Sequence, residues 1–375
     1  MTDPDIVKVD LSRKKPDFSY EIVIGRNLFP QVADYLKFAK LASRCAIVTD
    51  TNVSRHLHPA RLYSALEQKN LDSRVFTFEA GEQNKTVATW DKISNDIAAA
   101  GYGRDSAILA IGGGVVGDLA GFVAATFDRG IPYIQIPTTV LAQSDSSVGG
   151  KVAVDTPEGK NRRGAFYQPK IVFIDIDTLA TLPDEEYANG LAETVKHAVI
   201  EDRDYFYYLN DSLNMINSRN PEIFLELAKA NCSIKANVVQ QDPNEKGKRR
   251  ILNYGHTAGH AIEKLSNYQI PHGHAVSIGM MVVGRISRNL GYMPAEELAM
   301  QERFLRNLGL PTTIPNGMTA DKIIAATLGD KKAAKGKARY SLPKQIGTML
   351  SFEGQYATEV PEEIVKAALQ ETGAA

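Results

Sequence analysis

The chain has 375 residues, and 43 Lys and Arg against 44 Asp and Glu leave a formal net charge of -1. That balance gives no support to a nucleic-acid partner, which usually requires a basic excess, but it leaves room for one basic pocket around a small anion. No apolar run approaches the roughly 20 residues that span a bilayer, residues 1–16 lack the apolar core of a secretory leader, and two distant cysteines, Cys45 and Cys232, fit a reducing cytoplasm.

Apolar, β-rich runs at 45–49, 74–78, 107–111, 133–136 and 171–175 alternate with helical stretches such as 87–100. Strands interleaved with helices predict an α/β domain with a parallel, Rossmann-like sheet. Such sheets bind ligands beyond the carboxyl ends of their strands. Past Pro183 the pattern turns mainly α-helical, with predicted helices at 185–200, 221–240, 257–266, 275–290, 295–308 and 361–372. At about 100–200 residues per domain, two domains are expected, 1–182 and 183–375. Residues 331–339, with four Lys and one Arg, read by composition as a solvated turn.

Gly112-Gly-Gly-Val-Val-Gly-Asp118 follows a strand and opens a helix. Glycines there let the backbone approach a pyrophosphate, and the helix N-terminus supplies N–H donors. The run alone also fits an ordinary tight turn. Asp50 and Asn52 at a strand end could hold ribose hydroxyls, and Thr138-Thr139 follow the 133–136 strand.

Only seven histidines occur, and five of them lie between His197 and His274. His256 and His260 are four apart on one helical face, and His272 and His274 follow, with Glu193, Glu245 and Glu263 as available carboxylates. Catalytic zinc takes three protein ligands and keeps an open position. Spacing alone nominates His256 with His260; the competing reading is a pair of satisfied buried histidines. Glu193 and Lys196, three apart, read most simply as an exposed helical ion pair. Asp145, Lys151, Lys160 and Asn161 flank Gly149-Gly150, and Lys235 and Arg249 have the same surface alternative.

Longer strings carry a resemblance. They are Gly81-Glu-Gln-Asn-Lys85, Gly112 to Gly121, Pro137-Thr-Thr-Val-Leu-Ala-Gln-Ser-Asp-Ser-Ser-Val-Gly-Gly-Lys151, Gly159-Lys-Asn161, Gly190-Leu-Ala-Glu-Thr-Val-Lys196, Arg249-Arg-Ile-Leu-Asn-Tyr-Gly-His-Thr-Ala-Gly-His260 and Asp330-Lys-Lys332. From about Tyr20 to Ala368 the chain resembles the 3-dehydroquinate synthase family, sugar-phosphate cyclases of the shikimate pathway to aromatic amino acids. The resemblance implies a carbon–oxygen lyase acting on 3-deoxy-D-arabino-heptulosonate 7-phosphate. Transient oxidation by NAD, phosphate elimination, reduction and an intramolecular aldol closure give 3-dehydroquinate. It implies a metal, zinc or cobalt, on Glu193, His256 and His272, which moves His260 to a substrate contact. NAD contacts fall on Asp50, Asn52, Glu82, Lys85, Gly114, Asp118, Thr138, Thr139, Lys160, Thr181 and Leu182. Catalytic positions are Asp145, Lys151, Lys196, Glu245 and His260. Substrate-binding positions are Asn161, Lys235, Arg249, Asn253, Lys331 and Lys332, with Arg129 reaching over from a second subunit of a homodimer.

Two departures stand out. His272-Gly-His274 replaces the family's usual His-Gly-Glu, and Arg162-Arg163 add cations to a stretch that is more often apolar. The alternatives are another cyclase acting on an amino-substituted substrate, a glucose phosphate or sedoheptulose 7-phosphate, a metal-dependent alcohol dehydrogenase, or a silent homologue. The resemblance puts Lys235 and Arg249 where the family binds its substrate's carboxylate, which favours the carboxylate-bearing substrate, and arginine suits bidentate carboxylate recognition.

Overall fold

The computed structural model describes residues 18–328 and 338–375. In the first half, strands β1 (Glu21–Gly25), β2 (Arg44–Asp50), β3 (Asp72–Phe78), β4 (Ser106–Gly112) and β5 (Tyr133–Pro137) alternate with helices α1 (Phe29–Ala39), α2 (Thr51–Ser54), α3 (His58–Gln68), α4 (Val87–Ala99) and α5 (Gly114–Thr126). A hairpin of β6 (Lys151–Thr156) and β7 (Gly159–Phe166) precedes β8 (Ile171–Asp175). The sheet is parallel throughout, in the order β1-β8-β5-β4-β2-β3. The chain leaves β2 toward one edge and β4 toward the other, so the crevice between their carboxyl ends is the topological switch point.

The predicted strands lie inside the observed ones; β2, β4, β5 and β8, covered on both faces, carry the continuous apolar runs expected of buried parallel strands, whereas β3 is a largely exposed edge strand. Alternate residues feed separate cores. Ile47, Leu109 and Phe173 pack with Val32, Leu36, Leu62 and Leu66 of α1 and α3. Val48, Ile108 and Ala110 face Val116, Leu119 and Val123 of α5. Val172 and Ile174 of β8 turn instead into the core of the helical half.

That half contains α6 (Asp184–Glu201), α7 (Arg203–Asp211), α8 (Leu213–Asn217), α9 (Pro221–Gln241), α10 (His256–Leu265), α11 (His272–Asn289), α12 (Ala295–Asn307), α13 (Ala320–Leu328) and α14 (Glu362–Glu371), with a small ribbon of β9 (Pro343–Gln345) and β10 (Thr348–Met349). The expected helical character is present, but two boundaries differ in ways that matter. α10 begins at His256, behind Gly255 in the left-handed region (φ 80°). α11 begins at His272, three residues earlier than its apolar pattern indicates, because Gly273 can lie directly against α6. There the Gly273 N–H donates to Asn189 Oδ1 at 2.6 Å.

A methyl at Gly273 would stand 1.8 Å from the Asn189 carbonyl oxygen, and one at Gly279 would stand 2.0 Å from that of Gly255. Glycine therefore sets the separations of α11 from α6 and from α10. Gly273→Ala is expected to cost about 1–3 kcal/mol through overpacking. The loss would be read as a lower denaturant midpoint at unchanged m-value; an unchanged midpoint would show that this contact does not set the packing.

Candidate active site

α6 carries Glu193 and Lys196 into the interior. The reading of this pair as an exposed salt bridge is corrected: each side chain is only 1% exposed, and the carboxylate contacts the ammonium directly. A buried ion is costly unless it is paired, and here the charges converge from several elements. His256 Nε2, from the first turn of α10, and His272 Nε2, from the first turn of α11, each lie 3.4 Å from Glu193 Oε1.

His256 Nδ1 lies 3.1 Å from the Tyr254 carbonyl, which can only accept, so Nδ1 carries the proton. A neutral ring in that tautomer aims its Nε2 lone pair at the carboxylate. Two imidazole nitrogens and a buried carboxylate whose oxygens have no well-formed hydrogen bond among the described residues suit a divalent cation, and these three residues form a candidate ligand group. His260 stands beside them, its ring centroid 5.3 Å from that of His256 and 5.8 Å from that of His272. It falls in a second candidate group with Glu263 and His272. Burial works against charging His272, yet Glu193 and Glu263 push it up to about 9.

Asp145 enters from a π-helical turn (Ala142–Ser146) after β5. Such turns recur at functional sites, and no hydrophobic period announces one. The Asp145 Oδ1 lies 3.0 Å from Lys235 Nζ, 3.1 Å from His197 Nε2 and 3.7 Å from Lys196 Nζ. Burial would raise its pKa, but Lys196 and Lys235 hold the carboxyl well below the usual range. Burial lowers that of Lys235 against the pull of Asp145.

Lys151 contacts Glu245, which accepts from Asn253 Nδ2 at 2.9 Å. Arg249 is buried; its guanidinium donates to the Pro243 and Gly149 carbonyls, its backbone N–H donates to Asp242 Oδ2 at 3.1 Å, and its Nε has no partner among the described residues. Arg129 lies on an exposed turn in which Asp128, Arg129 and Gly130 all have positive φ. Lys331 and Lys332 fall outside the described residues.

The expected cofactor residues line the carboxyl end of the sheet. Asp50 closes β2 and caps α2, accepting from the Val53 N–H at 2.8 Å, with Asn52 in that helix. Gly114 opens α5 directly after β4, and Thr138 and Thr139 follow β5. Thr181 and Leu182 follow β8, with Thr181 Oγ1 2.8 Å from His58 Nε2. Lys85 Nζ lies among Glu82 (2.9 Å), Asp118 (3.2 Å) and the Asn161 amide oxygen (2.9 Å). Burial raises the Asp118 carboxyl to about 6 against the pull of Lys85. Lys160 Nζ, on β7, reaches Glu263 Oε1 at 2.6 Å and Glu82 Oε1 at 3.4 Å.

Sequence reasoning passed over the buried network behind Asp145. His197 Nδ1 lies 3.0 Å from Asn231 Oδ1, and Asn231 Nδ2 contacts Thr194 Oγ1 at 3.1 Å and Ser144 Oγ at 3.3 Å. These residues lie up to 87 positions apart, so no local spacing links them; the histidine crowding was the only signal. His274 stands outside the ligand group. The nearby charges are Glu185 and Glu186 of α6, and burial lowers its pKa. Arg162 and Arg163 are exposed on β7.

Residues 75–189 match the family model described as 3-dehydroquinate synthase N-terminal, and 190–333 the one described as 3-dehydroquinate synthase C-terminal. A 3-dehydroquinate synthase of Syntrophotalea carbinolica is 43% identical over 336 residues, covering 89% of this chain and 92% of the relative. A 2-deoxy-scyllo-inosose synthase solved with carbaglucose-6-phosphate, NAD+ and Co2+ superposes with TM-score 0.85 at 29% identity, covering 94% of this chain and 96% of that one. The 2-epi-5-epi-valiolone synthase of Streptomyces hygroscopicus, solved with NAD+ and Zn2+, gives TM-score 0.87 at 28% identity, covering 97% and 99%. The two family models together span more than half of the sequence, and the chain belongs to the 3-dehydroquinate synthase family.

Proposed function

We propose that this chain is a carbon–oxygen lyase that converts 3-deoxy-D-arabino-heptulosonate 7-phosphate to 3-dehydroquinate and phosphate. The observation that carries the reading is the three-ligand group at Glu193 set among buried cations that include Arg249. Glu193, His256 and His272 hold zinc or cobalt. NAD lies across the switch point against Asp50, Asn52, Gly114, Thr138, Thr139, Thr181 and Leu182, with Glu82, Lys85, Asp118 and Lys160 at its flank. Residues 1–182 form the cofactor half and 183–375 the metal half. When bound, the metal supplies Lewis acidity at a substrate oxygen and NAD+ a reversible hydride acceptor.

The chain's own residues orient the substrate and hold its protons. Asp145, kept ionised by Lys196 and Lys235, accepts from a ring hydroxyl. Arg249 and Lys235 take the carboxylate, which separates this substrate from carboxylate-free sugar phosphates. Lys151, Asn161, His260, Lys331, Lys332 and the Arg129 of a second subunit surround the phosphate. Glu245, steadied by Asn253 Nδ2, keeps Lys151 in place. A cytoplasmic homodimer is the assembly this implies, and the buried free thiols of Cys45 and Cys232 fit that compartment.

Phosphate release from the heptulosonate phosphate tests the reading. Turnover should require metal and NAD+ and leave no net NADH. Preferential turnover of a carboxylate-free sugar phosphate, or NADH accumulating with product, would overturn it. Removing a metal ligand should separate the histidines: His256→Ala should lower cobalt affinity at least 100-fold, and His260→Ala less than tenfold, read from cobalt absorption under chelator competition. Arg249→Lys, which loses the bidentate fork, should raise KM for the heptulosonate phosphate about tenfold or more with a smaller change in kcat.

A further inference from the structure

A continuous file of side chains joins the proposed cofactor site to the proposed metal site. Glu82 Oε1 lies 3.4 Å from Lys160 Nζ, and Lys160 Nζ lies 2.6 Å from Glu263 Oε1. The other oxygen, Glu263 Oε2, lies 3.6 Å from His272 Nδ1, and His272 Nε2 lies 3.4 Å from Glu193 Oε1. Glu263 is 4% exposed, and the Lys160 ammonium also sits 4.5 Å from the Tyr268 ring centroid. The file crosses from the loop after β3, through β7, α10 and α11, to α6. None of the roles assigned above uses Glu263.

The two oxygens of Glu263 face competing partners. At 2.6 Å, Lys160 holds a short charge-assisted bond, whereas 3.6 Å to His272 Nδ1 is beyond hydrogen-bond range. A histidine that ligates a metal through Nε2 gains basicity and a fixed ring orientation when a carboxylate accepts from its Nδ1–H. Lys160 therefore draws Glu263 away from the orientation that would serve His272 best. An ammonium shared between two carboxylates is the group that an incoming pyrophosphate would pull aside.

We propose that Glu263 is a positioning residue that couples cofactor binding to metal binding: NAD, by engaging Lys160, releases Glu263 to His272 and tightens the metal. This rests on the assignment of Lys160 to the cofactor and of His272 to the metal. Because the coupling is a free energy shared by two sites, the metal must tighten NAD by the same factor.

The test is a binding cycle on the full-length chain without sugar phosphate. Cobalt affinity is measured by chelator competition with and without NAD+, and NAD+ affinity by calorimetry with and without cobalt. NAD+ should raise cobalt affinity about tenfold, within the usual 5- to 150-fold range of such couplings, and cobalt should raise NAD+ affinity equally. Glu263→Gln should weaken cobalt binding 10- to 100-fold and reduce the coupling below twofold. Lys160→Met should do what a merely structural role would not: weaken NAD+ while raising cobalt affinity in the absence of NAD+ toward the NAD-bound value. A wild-type chain that binds both ligands independently, or a Lys160→Met protein with unchanged or weaker cobalt affinity, would overturn the coupling alone. A chain that binds neither ligand would overturn the functional reading along with it.

Discussion

The buried carboxylate of Glu193 constrains everything around it. Moving a lone carboxylate into a protein interior costs several kcal/mol even after relaxation, and removing one partner of a buried pair typically costs about 3–5 kcal/mol. Glu193 is tolerable only because Lys196 is delivered one helical turn later and two imidazoles arrive from other helices. Lys196 then lies near Asp145, which brings in Lys235 from α9 and His197 from α6. The π-turn after β5 and helices α6, α9, α10 and α11 are therefore tied to one electrostatic requirement. Little freedom remains in how the helical half sits on β8 and β1.

That dependence explains which parts were readable in the sequence. Strands β2, β4, β5 and β8 stood out because a parallel strand buried on both faces needs an unbroken apolar run. β1 gave little signal, being a short and partly exposed edge strand. The β6–β7 hairpin gave little because β7 is largely exposed and carries lysine, asparagine and arginine. Lys151, Lys160 and Asn161 were legible as residues near glycine turns, but not as members of two antiparallel strands.

The metal group shows the same limit more sharply. Spacing along one helix paired His256 with His260, and both rings do lie in the cluster. Spacing does not reveal which face of the ring file meets a carboxylate from another helix. That depends on Gly279 against the Gly255 carbonyl and on Gly273 against Asn189, contacts between residues 24 and 84 positions apart. The resemblance supplied Glu193 and His272; composition and periodicity did not. For Glu193 and Lys196, sequence gave the i,i+3 contact correctly but not its burial, which decides whether the pair is ornamental or structural.

A net charge of -1 conceals how charge is distributed among the buried and half-buried cations of the site. Lys151 is paired with Glu245, Lys196 with Glu193, and Lys235 with Asp145. Arg249 differs, because among the described residues its guanidinium donates to two backbone carbonyls and to no carboxylate. Neutral acceptors fix a guanidinium in place without cancelling its charge. Burial lowers its pKa, while Glu245 and Asp145 act on it only through space. Three cations are thus largely committed within the protein, and one is held in position with a buried Nε left over. Among these four, the attraction for a further anion is greatest at Arg249, and a planar fork favours a carboxylate there over a hydroxyl.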